Sequence, residues 1–355
     1  MNDILKSKII DCDVHHNFRH HSQLYPYLEK IWIERMQKSG FGLPRDYFIS
    51  AVGSHRIDAS PEEGVAGSDR DLVIEQLLNK HQIDYALLNG AGIAGVSNMM
   101  ETEYPMALAR AHNQWTVDEW LNYDDRFLGS IHIAIQSPIE SAKEIKRMAL
   151  NSKIKAVALP SILPLPISHD FYAPVLEAIN ETGLVLLFHP KQPSISNASM
   201  TPLGMLNSYL EWHTLAGLPY MAQLTTMIVQ GIFEKYKNLK VFFVEGGTTW
   251  VPSLMWRMDK NYKALRVEAP WLKELPSHYI LKHCKFCTQP IEEPHKKKYL
   301  GQILEMMNGE NTIIFSTDYP HWDFDDPIFA MRDIPKQWRS NILFNNANNF
   351  LNIES

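Results

Sequence analysis

Short, nearly continuous apolar runs rich in β-branched residues recur along the whole chain, with polar or amphipathic stretches between them. Eight such runs cover 8–15, 84–89, 127–136, 154–160, 183–189, 240–245, 285–289 and 312–318. A run without polar alternation predicts a strand buried on both faces, as in a parallel sheet covered by helices. Helical patterns fill the gaps, for example 71–80, 141–150 and 171–182. Strand–helix alternation repeated eight times predicts an α/β fold, a closed (β/α)8 TIM barrel forming one domain over 1–355. Such a barrel needs about 250 residues, so roughly a hundred belong to insertions. One insertion follows the first strand, over 17–68, and mixes Pro, Gly, Ser and aromatic residues. The other follows the fifth strand, over 190–230, and is expected to carry a long helix after Met205. Both leave the C-terminal ends of strands, where barrel enzymes keep their chemistry. They should wall the barrel mouth, with Trp212 and Tyr220 as candidate lining residues.

Composition narrows the function classes. With 34 basic and 40 acidic residues the net charge is −6, and the Lys296-Lys297-Lys298 cluster reads as a solvated helix face. That balance excludes an electrostatic footprint for nucleic acid. No run approaches the roughly 18 apolar residues of a membrane span, so no membrane partner is expected. Met1 to Lys8 is polar and lacks the apolar core of a signal peptide, and three cysteines make no disulfide framework. Both observations predict a reducing, cytoplasmic setting.

The residues that end the strands carry the chemistry. Strand one closes on Asp11-Cys12-Asp13-Val14-His15, and simple alternation puts Asp11, Asp13 and His15 on one side. Strand five ends in His189, strand six in Glu245 and strand eight in Asp318, with His321 returning on the following turn. Singly, each has a structural role open to it: His189 a hydrogen-bonded strand end, Glu245 a helix cap, Asp318 a turn former. Three carboxylates and three imidazoles at one barrel end instead point to a metal site, because a buried charge cluster otherwise lacks compensation.

Other candidates fall to the same test. Cys284 and Cys287 match C-x-x-C spacing, but residues three apart on a strand face opposite ways and cannot chelate one metal. His16, His20 and His21 lie off the first strand in this reading, and His132 in the middle of strand three is assigned to internal packing. His213, on the insertion helix, could fold over the mouth and is kept as a secondary candidate. Gly246-Gly247 is too short a signal for phosphate binding.

The D-x-H of strand one, the F-H-P of strand five, the V-E-G-G of strand six and S-T-D-Y-P-H-W-D-F-D-D-P near the end resemble the amidohydrolase superfamily. More narrowly they resemble its amidohydrolase-related branch, which holds metal-dependent non-oxidative decarboxylases. The resemblance covers almost the whole chain and implies a divalent metal, zinc, manganese or iron, at the C-terminal face. By motif position Asp13 and His15 match the first-strand ligand pair, His189 the fifth-strand ligand and Asp318 the eighth-strand carboxylate. There are departures. Family members often carry His or Glu where this chain has Asp13, and many decarboxylases carry His where this chain has Glu245. They commonly lack a histidine at the position of His321. Lys155 lies only at the start of strand four, so a carbamate-bridged pair of metals is not supported.

Charge arithmetic bears on metal number. Asp13, Glu245 and Asp318 together contribute −3, so one divalent cation leaves −1 and two leave +1. The second case suits an anionic substrate and would make Glu245 and His321 additional ligands, with metals about 3.5–4 Å apart. The alternative is one metal, with Glu245 as acid/base. The leading function is hydrolysis or non-oxidative decarboxylation of a small carboxylate-bearing molecule, with Asp318, Glu245 and His321 as catalytic groups and Lys191 as a possible partner for the substrate carboxylate. The resemblance also admits a dinuclear non-haem iron or manganese monooxygenase, or a non-catalytic partner of one. The chain is expected to form a homo-oligomer or to pair with a related subunit.

Overall fold

A computed structural model describes residues 7–43, 53–190 and 206–354. Eight parallel strands stand next to one another in chain order. They are β1 (Ile10–His16), β2 (Tyr85–Gly90), β3 (Phe127–His132), β4 (Ile154–Pro160), β5 (Val185–His189), β6 (Lys240–Phe243), β7 (Cys284–Cys287) and β8 (Ile313–Ile314). The ring closes through the segment after β8: Cys12 N–H donates to Phe315 O at 3.1 Å, Asp318 N–H to Asp13 O at 3.1 Å, and His15 N–H to Tyr319 O at 2.7 Å. Helices such as Glu103–Thr116, Pro138–Met148, Ala173–Thr182 and Trp250–Leu265 cover the outside. Among the described residues no helix is long and apolar enough to cross a membrane.

Alternation along the strands divides the core in two. Val157, Leu186, Phe188 and Phe243 pack outward against the helices. Ala156, Ala158, Val185, Leu187 and Phe242 fill the barrel, whose floor is closed by Ala347, Phe350 and Leu351. The two cysteines of β7 follow the rule for residues three apart: Cys284 joins the outer layer and Cys287 the inner, and both are free and buried.

Four expectations are corrected. First, Asp11 does not face the mouth. The β1–β2 register shifts between Asp11 and Val14, so a bulge interrupts alternation there. Ile10 and Cys12 point into the barrel, while Asp11 ties β1 to the β8 side. Its carboxylate accepts from Thr317 N–H at 3.0 Å, Thr317 Oγ1–H at 2.5 Å and Asp13 N–H at 3.2 Å. Asp11→Ala strands these buried donors and should cost about 2–4 kcal/mol of stability. Urea unfolding would measure this, and a loss under about 0.5 kcal/mol would refute it.

Second, β1 includes His16, which is buried with its Nε2 2.8 Å from Thr116 Oγ1. Third, β3 ends at His132, so that residue is a strand end. Fourth, the insertion after β5 carries two helices, Tyr209–Thr214 and Gly217–Val229. Pro219 has no N–H to give Leu215, and its ring would clash with that carbonyl in a continuous helix. The first helix is started by a capping box between Ser208 and Glu211.

Candidate metal centre

The bulge in β1 delivers Asp13 and His15 to the C-terminal mouth, where they meet His189 from the end of β5 and Asp318 from the turn after β8. One ligand atom from each of these four lies within 4.8 Å of the others. His15 Nε2 is 2.9 Å from Asp318 Oδ1 and 3.6 Å from Asp13 Oδ1. His189 Nε2 is 3.6 Å from Asp13 Oδ2 and 3.2 Å from Glu245 Oε2. Glu245, Asp318 and His321 form an adjoining group, and His213, Glu245 and Asp323 a third, each within the same span.

Neighbouring backbone and side chains set the orientation of these groups. His15 Nδ1 lies 3.1 Å from Asn89 O and His189 Nδ1 2.8 Å from Pro190 O. Each carbonyl accepts the Nδ1 proton, which turns both Nε2 atoms toward the centre. Asp13 Oδ1 accepts from Asn89 Nδ2 at 2.7 Å, and Asn89 Oδ1 in turn accepts from Ser130 Oγ at 2.5 Å. His321 Nδ1 lies 2.7 Å from Asp318 Oδ1. Glu245 (φ 56°) and Asp318 (φ 60°) both adopt the left-handed backbone region that non-glycine residues avoid, a strain that clusters at functional sites.

Burial and crowding shift Asp318, Glu245, Asp13, His15, His189 and His213. Burial pushes the Asp318 carboxyl well above its ordinary range, and the charges of Glu245, Asp323 and Asp13 add to the rise. Burial also raises Glu245, against the pull of His213 and His189. At Asp13 burial is outweighed by His15 and His189, and the carboxyl ends below its usual value. Burial depresses His15 to about 4, whereas the surrounding carboxylates overcome burial to lift His189 to about 9 and His213 to about 10. His15 therefore stays neutral near pH 7.

The donor set fits a divalent cation. Asp13 Oδ2, His189 Nε2, His213 Nε2, Asp318 Oδ2 and Asp323 Oδ2 are sealed from solvent without a hydrogen-bond partner. Such orphaned atoms are costly in an apolar interior and are resolved by a shared cation. Imidazole nitrogens with carboxylate oxygens suit zinc, manganese or iron.

Above the cluster lies a cavity of about 130 Å³. Ala94, Ala158, Leu159, Pro160, Tyr209 and Trp212 form its apolar walls, and His15, Ser54, His132, His189, Glu245 and His321 its polar face. Both insertions reach this mouth: Ser54 from the first, Tyr209 and Trp212 from the second. Tyr220 does not line the cavity. It is fully buried beneath, its hydroxyl donating to Val244 O at 2.6 Å. Lys191 lies outside the described residues.

Sequence reasoning missed three residues and undervalued one. Asn89 ends β2 and would have been found by reading amides as well as acids at strand ends. His132 was hidden because the apolar Ile133-Ala134-Ile135 made β3 look longer, yet its Nε2 is buried without a partner and it lines the cavity. Asp323 sits in a turn with no periodic signal. His213 belongs to the cluster rather than to its margin.

Comparison with known proteins agrees with this architecture. A curated relative, 2-amino-3-carboxymuconate-6-semialdehyde decarboxylase of Dictyostelium discoideum, is 22% identical over 339 residues, covering 92% of this chain and 90% of its own. Gamma-resorcylate decarboxylase of Rhodococcus jostii is 22% identical over 269 residues, 69% of this chain and 75% of that one. Among solved structures, 5-carboxyvanillate decarboxylase of Novosphingobium aromaticivorans, complexed with manganese and 4-hydroxy-3-methoxy-5-nitrobenzoic acid, superposes with a TM-score of 0.72 at 18% identity. That match covers 98% of this chain and 97% of the other, and at this identity it speaks to fold. The family model described as Amidohydrolase matches residues 10–353. Because that match runs from β1 to the segment closing the barrel floor, it takes in every strand end that carries the cluster, and the chain belongs to the amidohydrolase family.

Proposed function

We propose that this protein is a metal-dependent carboxy-lyase that removes CO2, without oxidation, from a small carboxylate-bearing molecule. The observation that carries this reading is the position of Asp318. Its fully buried carboxyl closes the ligand cluster at the base of an apolar-walled cavity, and burial, with the charges of its carboxylate neighbours, pushes its pKa upward. The named relatives are decarboxylases, which favours carbon–carbon cleavage over hydrolysis. The oxygenase reading draws no support from them.

Asp13, His15, His189 and Asp318 would hold the first cation, and manganese in the Novosphingobium relative supports that choice of metal. A divalent cation there would anchor substrate oxygens and stabilise negative charge developing as CO2 departs. The chain supplies the remainder. A cavity of about 130 Å³ admits one ring-sized group, and its apolar walls exclude water. When the bond to the carboxyl carbon breaks, its electron pair stays on the substrate carbon, and Asp318 delivers the proton that carbon needs. His15, neutral and with its Nδ1 tied to Asn89 O, presents Nε2 as a ligand atom beside that carboxyl. Glu245 and His321, grouped with Asp318, are assigned to the edge of this metal centre and to acid/base support at the mouth.

The direct test offers manganese-loaded protein a panel of small aromatic and unsaturated carboxylates, following CO2 release with and without oxygen. Release that is independent of oxygen is expected. Oxygen uptake coupled to turnover, with no CO2, would replace this reading by the oxygenase one. A second expectation concerns the support of the ligands. Asn89→Ala removes the donor that orients Asp13 and should weaken manganese binding about 10–100-fold in titrations of metal-free protein. Unchanged affinity would sink that role.

Residues 1–355 are read as one domain, in keeping with the extent of the family match. A reducing cytoplasmic setting is supported by three free, buried cysteines. Association with copies of itself or a related subunit is supported by exposed Trp256, Leu265, Val267 and Trp271.

A further inference from the structure

The geometry points to His213 and Asp323 as ligands of a second divalent cation, with Glu245 as a carboxylate shared between the two positions, so that the metal fastens the insertion helix Tyr209–Thr214 over the mouth. This rests on the metal-dependent reading above and extends it to residues outside the strand ends.

Three observations carry it. The two oxygens of Glu245 face different ways: Oε2 is 3.2 Å from His189 Nε2 in the first cluster, and Oε1 is 3.6 Å from His213 Nε2 in the second. That is the disposition of a bridging carboxylate. Next, His213 Nε2 lies 3.3 Å from Asp323 Oδ2, and neither atom has a hydrogen-bond partner although both are sealed from solvent. A charge-assisted hydrogen bond between imidazolium and carboxylate closes to about 2.7–2.9 Å. Ligand atoms bonded at about 2.0–2.2 Å to one cation instead stand about 3.0–3.5 Å apart. The spacing around His213 matches the second pattern better than the first. Third, Asp318 is completely buried and its Oδ2 is also without a partner. Counting Asp323, four carboxylates converge here. Even with the Asp318 proton in place, the other three leave one negative charge beside a single divalent cation.

His213 is the only one of these ligands carried by an insertion, and the reach of its helix to the centre is thereby coupled to metal. Tyr209 stacks on His213 with ring centroids 5.5 Å apart, and Trp212 on the same helix lines the substrate cavity. Filling the second position would hold Tyr209 and Trp212 in place as cavity walls.

The test measures metal per chain by elemental analysis after manganese loading and gel filtration, in wild type, His213→Ala, Asp323→Asn and, as a first-cluster control, His189→Ala. Circular dichroism establishes that each variant is folded, and Asp323→Asn serves if His213→Ala is not. The proposal expects about two manganese ions in wild type and about one in His213→Ala and Asp323→Asn. It also expects manganese to slow amide hydrogen exchange across 209–214 at least about tenfold in wild type and not in His213→Ala. Two ions retained in both second-cluster variants would overturn the assignment of His213 and Asp323 while leaving a dinuclear centre in place. One ion in wild type, lost only in His189→Ala, would overturn the second position and leave the proposed function standing. No ion bound in wild type would remove the metal-dependent reading itself.

Discussion

Asp318→Asn is expected to lower turnover of the manganese-loaded protein at least about 10³-fold while leaving the barrel folded. The carboxyl is both a member of the ligand cluster and the proposed proton donor, and asparagine can carry neither the charge nor the transferable proton. The same change should stabilise the metal-free protein near neutral pH. The sign follows from linkage: burial and three neighbouring carboxylates raise the Asp318 pKa in the folded state well above its unfolded value. Between those two values the unfolded chain releases the proton while the folded chain retains it, so wild-type stability falls as pH rises through that interval. Asparagine is neutral throughout and removes this loss. Thermal melts of metal-free wild type and variant should therefore separate progressively as pH rises above the ordinary carboxylate range, with the variant higher, and converge as pH falls to it. A variant that melts lower than wild type at pH 8, or retains more than a tenth of the turnover, would contradict this account.

Stripping the metal should have a comparably large effect. Chelator-treated protein is expected to lose essentially all turnover and to regain it with manganese. A ligand that binds only the folded state stabilises it by about 4 kcal/mol at a thousandfold excess over its dissociation constant. For a chain of this size that corresponds to a rise in melting temperature of about 5–10 °C. The physical source is the set of five sealed ligand atoms that lack a hydrogen-bond partner and that a shared cation would satisfy. Full turnover in protein shown to be metal-free, or a melting temperature indifferent to manganese, would falsify the proposed role of the cation.

Much of this protein is determined by short-range pattern. Apolar runs buried on both faces place all eight strands, because a parallel strand sandwiched between barrel interior and helices has no exposed side to reveal by alternation. Reading the residue at which each run stops being apolar then finds His189 and Asp318, since a charged group tolerates burial only at the mouth. The D-x-H of β1 is legible for the same reason, though alternation alone wrongly sends Asp11 with it. The bulge that turns Asp13 and His15 into the mouth, and leaves Asp11 bonded to Thr317, depends on how β1 pairs with β2 and with the segment after β8. Those partners lie about 75 and 300 residues away, and no local pattern encodes the register. The same holds for Asn89 beneath Asp13 and for His213 against Asp323, residues that the chain separates and only barrel closure and the packing of the insertion bring together. The break between the two insertion helices was present in the sequence as Pro219, but its consequence, His213 aimed at Glu245, was not. Element type and strand ends are local properties of side-chain polarity, whereas the membership of a charge cluster is a property of closure, where long-range pairing decides which buried groups must share a counter-ion.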